Sequence, residues 1–391
     1  MRIGLVRLAL GDQHSLILKH DGSVWSTGYN EHGQLGDGST TDSLKFVLAF
    51  SRDAKGVAAG NGHSMILKQD GSVWVTGQNI HGQLGDDSFT GKHFFAKVLY
   101  CGAQAVAAGG DYSMMLKQDS SLWATGKNNY GQLGDKTTTS RNHFVQVVSS
   151  GVKAVAAGGF HSMVLKEDGS VWSTGWNLYG QLGVGLLFPY SATFYKAVES
   201  GVTAVAAGSL HSLIVKQDGS VWATGRNFFG QLGDGTTVAK STFTKVVLSG
   251  AKAVAAGHSY SIVMKTDGSV WATGSNLHGQ LGDGSTADRN VFVKVISSGV
   301  KTVAAGVGHT MVVTEDDSVW AAGWNLYGQF GYGSINSAST FIRVVTLSDT
   351  VVHDMDTLLV NWFPSGFSLT TKASSTGVQR AILSSMQHCF N

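Results

Sequence analysis

Five histidines, His14, His63, His161, His211 and His309, recur at matching places along the chain. Imidazole is the commonest metal ligand among side chains, so a ring of histidines invites a metal reading. Zinc, however, needs its donors within about 2 Å of one centre, and residues one or more repeats apart around a ring are too far apart to share an ion. Tyr112 and Tyr260 also stand in for histidine in two repeats. A second series, Asp37, Asp86, Asp135, Asp234 and Asp283, follows Gln-Leu-Gly, with Val184 and Tyr332 in the remaining two positions. A turn-capping role suits this aspartate series better than calcium binding. No nucleophile, base and orienter come together in the pattern, and there is no Gly-Lys-Ser/Thr phosphate loop. The expectation is a protein that is not an enzyme and uses no metal and no cofactor.

The elements that would position these residues are set by a repeat. Trp25, Trp74, Trp123, Trp172, Trp222, Trp271 and Trp320 lie 49, 49, 49, 50, 49 and 49 residues apart, and Ala154 to Gly183 is the clearest copy. A period near 50 residues overrides a domain count based on the 391-residue length and predicts one repeat array. In the second repeat the strand candidates are Gly56 to Ala59, Ser64 to Lys68, Ser72 to Thr76 and Phe94 to Leu99. Asp70-Gly71 is a tight hairpin turn between the middle two, repeated at four other places and altered to Asp119-Ser120 and Asp316-Asp317 in two. A four-stranded unit of this length cannot bury both sheet faces alone. Stacking seven of them around a ring covers the faces and removes most exposed edges. The predicted fold is all-β, a seven-bladed propeller of four-stranded antiparallel blades over residues 1–345, followed by a non-repeat tail over 346–391.

Composition narrows the function classes. With 52 glycines, 2 prolines and 14% charged residues the chain suits short strands and turns. A net charge of +2, with lysine and aspartate interleaved, offers no basic stripe for counterion release, so direct nucleic-acid binding is not expected. Cys101 and Cys389 do not form a disulfide framework and point to a reducing compartment. Met1 to Leu10 lacks a signal-peptide core, and no apolar run is long enough to span a membrane. An intracellular protein, cytoplasmic or nuclear, is expected.

The string His-Ser-x-x-Leu-Lys-x-Asp-Gly-Ser-Val-Trp-x-Thr-Gly-x-Asn-x-x-Gly-Gln-Leu-Gly, near His63 to Gly85 and His211 to Gly233, resembles the repeat of the regulator of chromosome condensation family. The resemblance covers residues 5 to 345 and implies a seven-bladed propeller. It also implies nucleotide exchange on a small GTPase, an activity that in the family depends on an inserted wedge for which the even tryptophan spacing leaves no room. Similar repeats in other propellers inhibit enzymes. Two ring closures remain open: blade seven keeps Phe341 to Val345 and packs on blade one, or that strand joins the first unit.

In an antiparallel blade the connections between strands one and two and between three and four share one end. The residues there vary between units, whereas the opposite end repeats Asp-Gly. Phe160, Trp176, Leu178, Tyr179, Leu210, Phe228 and Phe229 crowd units four and five on the variable face, and Phe188 lies in a unit-four loop that departs from the pattern. Trp324 and Tyr327 repeat the aromatic choice in unit seven. Aromatic residues on adjacent loops are typical of binding hot spots. These ten residues are the predicted partner-binding surface of a protein-interaction propeller. The seven marker tryptophans invite a light-sensing or cation-binding reading, but a large ring at one strand position in every unit is expected to be blade-to-blade core.

Overall fold

The computed structural model describes residues 7–186 and 188–345. Its twenty-eight strands form seven four-stranded antiparallel sheets, each built from strands consecutive in sequence, which together make a seven-bladed propeller. In blade two the strands run Ala54–Ala59, His63–Lys68, Val73–Gly77 and Lys92–Leu99, from the axis outward. The outer strand starts two residues before its sequence expectation, because Gly77 pairs with Lys92 across an irregular step in the ladder. The tail from residue 346, including Cys389, lies outside the described residues.

Each strand's residue choice follows its radius. Innermost strands of blades three to six read Ala-Val-Ala-Ala-Gly, with close variants in two and seven, because seven strands converge on one axis and favour small side chains. Gly208 marks the limit: a Cβ there would sit 2.5 Å from the carbonyl oxygen of Gly257 in the next blade. The second strand is buried along nearly its whole length, His63 to Leu67 in blade two. The core is a series of seams between blades, such as Leu16, Leu18, Val24, Ala54 and Ile66 between blades one and two. The outer strand is half exposed.

The marker tryptophans are corrected in one respect. They do pack at the seams, as Trp74 does, but as half-buried caps rather than as inner core. Trp74 Nε1 donates to Ser72 Oγ at 3.1 Å, and Ser72 Oγ donates to Asp70 of the hairpin turn at 2.6 Å. Lys68 and Lys97 bring their ammonium groups 5.9 and 5.1 Å from the ring centre, within cation-π range. The repeated Asp-Gly-Ser-x-Trp string is thus one hydrogen-bonded turn.

The Asn-x-x-Gly-Gln-Leu-Gly segment latches each blade to the next. Its leucine is fully buried in six units, and Phe330 takes the place in the seventh. Ser64 of blade two donates to the Gln34 carbonyl of blade one at 2.7 Å, and Thr76 donates to the Gly33 carbonyl at 2.9 Å. Ring closure uses the same device. Ala338–Val345 stays in blade seven, paired with Val319–Gly323, and among the described residues no strand is shared between blades. Blade seven's latch is gripped by Ser15, which donates to the Gln329 carbonyl at 2.7 Å, and by Thr27, which donates to the Gly328 carbonyl at 2.8 Å. No helix of the described residues is long and apolar enough to cross a membrane.

Candidate loop-face interaction site

The predicted site depends on loops that the repeated frame ties down by hydrogen bonds. Asn79 illustrates the device: its side-chain oxygen accepts from Leu84 N at 2.9 Å, and its amide donates to Asp86, Ser88 and the Thr90 carbonyl. Asp86 in turn accepts from Ser88 N and Oγ at 3.2 and 2.8 Å and pairs with Lys92 at 3.1 Å. The aspartate series therefore caps its own loop, and its lone pairs are occupied by donors. Local hydrogen bonds and the Lys92 ammonium hold the Asp86 carboxyl below its ordinary range even though burial, the largest single influence, pushes it up.

The histidines are likewise structural. His161 Nε2 lies 2.8 Å from Ser212 Oγ of the next blade, and Ser212 spends its only hydroxyl proton on the Gln181 carbonyl at 2.7 Å. The imidazole must therefore donate from Nε2, which makes Nδ1 the bare acceptor. Nδ1 is buried without a hydrogen-bond partner in all five histidines. Burial lowers the imidazole pKa to about 3 or about 4 in each, so the rings stay neutral. Where tyrosine replaces histidine, Tyr112 and Tyr260 reach across the same seam to the carbonyls of His161 and His309, at 2.7 and 2.6 Å.

On the variable face the structure sorts the ten predicted residues into groups. Phe160, Trp176, Tyr179 and Phe228 form one continuous arc. Trp176 meets Phe160 edge-on at 5.3 Å and Tyr179 at 6.4 Å, and Tyr179 meets Phe228 at 5.6 Å. Phe229 joins through Arg226, whose guanidinium lies 5.7, 5.0 and 5.5 Å from the rings of Tyr179, Phe228 and Phe229. Leu178 is 54% exposed on the same loop, and Phe228 is 53% exposed. Leu210 is only 8% exposed and presents almost no surface to a partner. Phe188 is apart, its ring tilted at 38° against Tyr195 of its own blade's outer strand, 4.9 Å between centres. Trp324 and Tyr327 belong to a second arc over blades six, seven and one, running from His278 to Tyr29.

Several members escaped the sequence reading. Tyr130 stacks on Trp176 at 4.9 Å and 11°, extending the first arc into blade three. The position after the latch asparagine is an exposed apolar residue in five blades, Ile80, Leu178, Phe228, Leu277 and Leu326, so the apolar ring runs well beyond units four and five. That alternation was readable, since those positions align in the repeat. Between the arcs the channel mouth opens as a cavity of about 420 Å³ lined by Asp12, Asn61, Phe160 and His258. Burial, followed by the charge of Asp111, raises the Asp12 carboxyl pKa.

Comparison with known proteins agrees with this architecture. The family model described as Regulator of chromosome condensation (RCC1) repeat matches residues 6–34, 54–83, 103–132, 152–181, 202–231, 251–280 and 300–329. A second model of the same description matches 21–67, 119–165, 218–264 and 267–313. No curated protein matches the chain. Among solved structures, that of Prp20p from Saccharomyces cerevisiae, described with its binding properties to Gsp1p and histones, superposes with a TM-score of 0.74 at 19% identity, covering 88% of each chain. Human WBSCR16 superposes at 0.73 and 21% identity, over 81% of this chain and 88% of that one. The crystal structure of Kap60 bound to yeast RCC1 (Prp20) gives 0.73 at 19% identity, over 87% and 86%. At these identities the likeness establishes the fold. With seven matched repeats and seven blades built on them, the chain belongs to the regulator of chromosome condensation (RCC1) repeat family.

Proposed function

We propose that this propeller is a binding protein that holds a macromolecular partner on its variable loop face and carries out no chemistry of its own. The observation that supports this reading is the unbroken aromatic arc from Tyr130 through Trp176 to Phe228, which crosses three blades and leaves Leu178 and Phe228 more than half exposed. Exposed apolar surface of that kind favours a partner, because covering it with protein releases ordered water and gains packing. The rigid frame favours it too, since loops tied down by the latch asparagines lose little entropy on binding. The test compares capture of protein partners by the wild-type chain and by a Trp176→Ala, Phe228→Ala, Phe229→Ala variant. Loss of the same partners from the variant, with unfolding behaviour unchanged, is expected; undiminished capture defeats the reading.

A second reading, nucleotide exchange on a Ran-type GTPase, draws on the described binding of Prp20p to Gsp1p. Every described strand here is used in one of the seven blades, so an exchange reaction would have to act through loops rather than an added hairpin. Nucleotide release from a loaded Ran-type GTPase that is no faster with the protein present rules it out.

A further inference from the structure

Arg226 sits at the blade-five end of the first aromatic arc, with no counter-charge in ion-pair contact among the described residues. Its guanidinium lies over Tyr179, Phe228 and Phe229, and its Nε is buried with no hydrogen-bond partner among the described residues. The carboxylate of its own loop is committed elsewhere, since Asp234 pairs with Lys240 at 3.3 Å and accepts from Asn227 and Thr236. In blade four the equivalent aspartate is replaced by Val184, and the described residues from Trp176 to Tyr190 include no acid. His258, close enough to feel the charge of Arg226, offers no relief. Burial, and then the charge of Arg226 itself, hold its imidazole below the ordinary range.

Other blades treat a cation in this region differently. Lys127, at the position of Arg226 in blade three, is neutralised by Asp111 at 3.0 Å. Arg141 and Arg289, the first residues of the outer strands of blades three and six, each pair with the loop aspartate at 2.7 Å. A partly desolvated guanidinium flanked by rings retains cation-π attraction, yet its planar fork is left without the carboxylate it matches best. An arriving carboxylate would find two advantages at once: a charge already stripped of much of its water, and donors in bidentate geometry.

We propose that the arc recognises an acidic peptide segment of a protein partner, with an Asp or Glu carboxylate docking on Arg226 and an adjacent aromatic or aliphatic side chain covering Leu178 and Phe228. This rests on the interaction reading above and adds the chemistry of the partner. The rings supply apolar area and Arg226 supplies the sign of the charge, so basic segments are rejected by the same residue that selects acidic ones.

The experiment selects short random peptides displayed on phage against the full chain, then measures the enriched peptides by fluorescence polarisation. Wild type is compared with Arg226→Gln, Arg226→Lys and Phe228→Ala, each first checked for an unchanged thermal unfolding transition. Enriched peptides are expected to carry Asp or Glu beside an apolar residue. Arg226→Gln, or changing the peptide acid to its amide, is expected to weaken them by about tenfold or more, with Arg226→Lys restoring part of the loss. Peptides that lose binding in Phe228→Ala but lack acids and ignore Arg226→Gln overturn the acidic specificity and leave the loop-face reading standing. Peptides indifferent to both substitutions, or no enrichment at all, overturn both.

Discussion

His309 Nε2 lies 2.9 Å from Ser15 Oγ, so the seam that closes the ring is made with the same hydrogen bond as the four internal seams that carry a histidine. The equivalent internal contacts, such as His211 to Ser261 at 2.9 Å, differ only in sequence separation. Breaking either by His→Ala removes a buried hydrogen bond and leaves a cavity, at a cost of about 2–4 kcal/mol. His309→Ala and His211→Ala are expected to destabilise by similar amounts in urea unfolding. A much smaller effect at His309 means that the ring is not closed through this contact.

The neutral histidines set a pH dependence. Their ordinary pKa is 6.5, and in the folded protein it falls to about 3 for His14, His211 and His309 and about 4 for His63 and His161. Because the folded pKa is depressed, the unfolded chain binds more protons below pH 6.5. Stability is therefore full above that value and falls as the pH drops toward 4, each histidine adding a slope of up to about 1.4 kcal/mol per pH unit. His63→Tyr, copying Tyr112 and Tyr260, is expected to lower that acid slope by close to one proton. Denaturant midpoints measured between pH 7 and pH 4 decide it, and an unaltered slope contradicts the assignment.

Ser120 adopts a φ of +62° at the hairpin position where five other blades have glycine. A side chain in that left-handed region costs about 1 kcal/mol. Ser120→Gly is expected to raise stability by up to that amount, less the exposed hydrogen bond from Ser120 to Glu167 at 3.0 Å. A lower melting temperature counts against the strain.

Gly208 meets the opposite constraint. Its backbone angles suit any residue, but an added Cβ would lie 2.4 Å from His211 Cε1 and 2.5 Å from the Gly257 oxygen. Gly208→Ala is expected to cost about 1–3 kcal/mol by forcing two blades apart. Calorimetry that finds no loss excludes so tight an approach.

Most of the fold was legible because it is written seven times. The Asp-Gly turns, the tryptophan spacing and the small-residue inner strands each state the same blade, and agreement among local signals identified the ring. Closure was not legible: both arrangements of Phe341 to Val345 keep the same alternation, and only the pairing of Ala338–Val345 with Val319–Gly323 separates them. The positions of the loop-face aromatics were readable, but their grouping was not. Trp176 and Trp324 hold the same place in the repeat, yet their rings belong to separate arcs because they rise from different blades, and Phe188 packs on Tyr195 of its own outer strand instead of joining either. Arg226 stood out even less, since what distinguishes it is the absence of a nearby carboxylate, a property of its neighbours.

The direction of the latch has a temporal consequence. Blades two to seven each receive their latch from the blade made just before them, so on a ribosome each can be completed as it emerges. Blade one is the exception. Its Ser15 and Thr27 wait for Gly328 and Gln329, some three hundred residues downstream. The first blade synthesised is therefore the last to be finished, and the nascent propeller carries an open, adhesive edge at its start until its final repeat arrives.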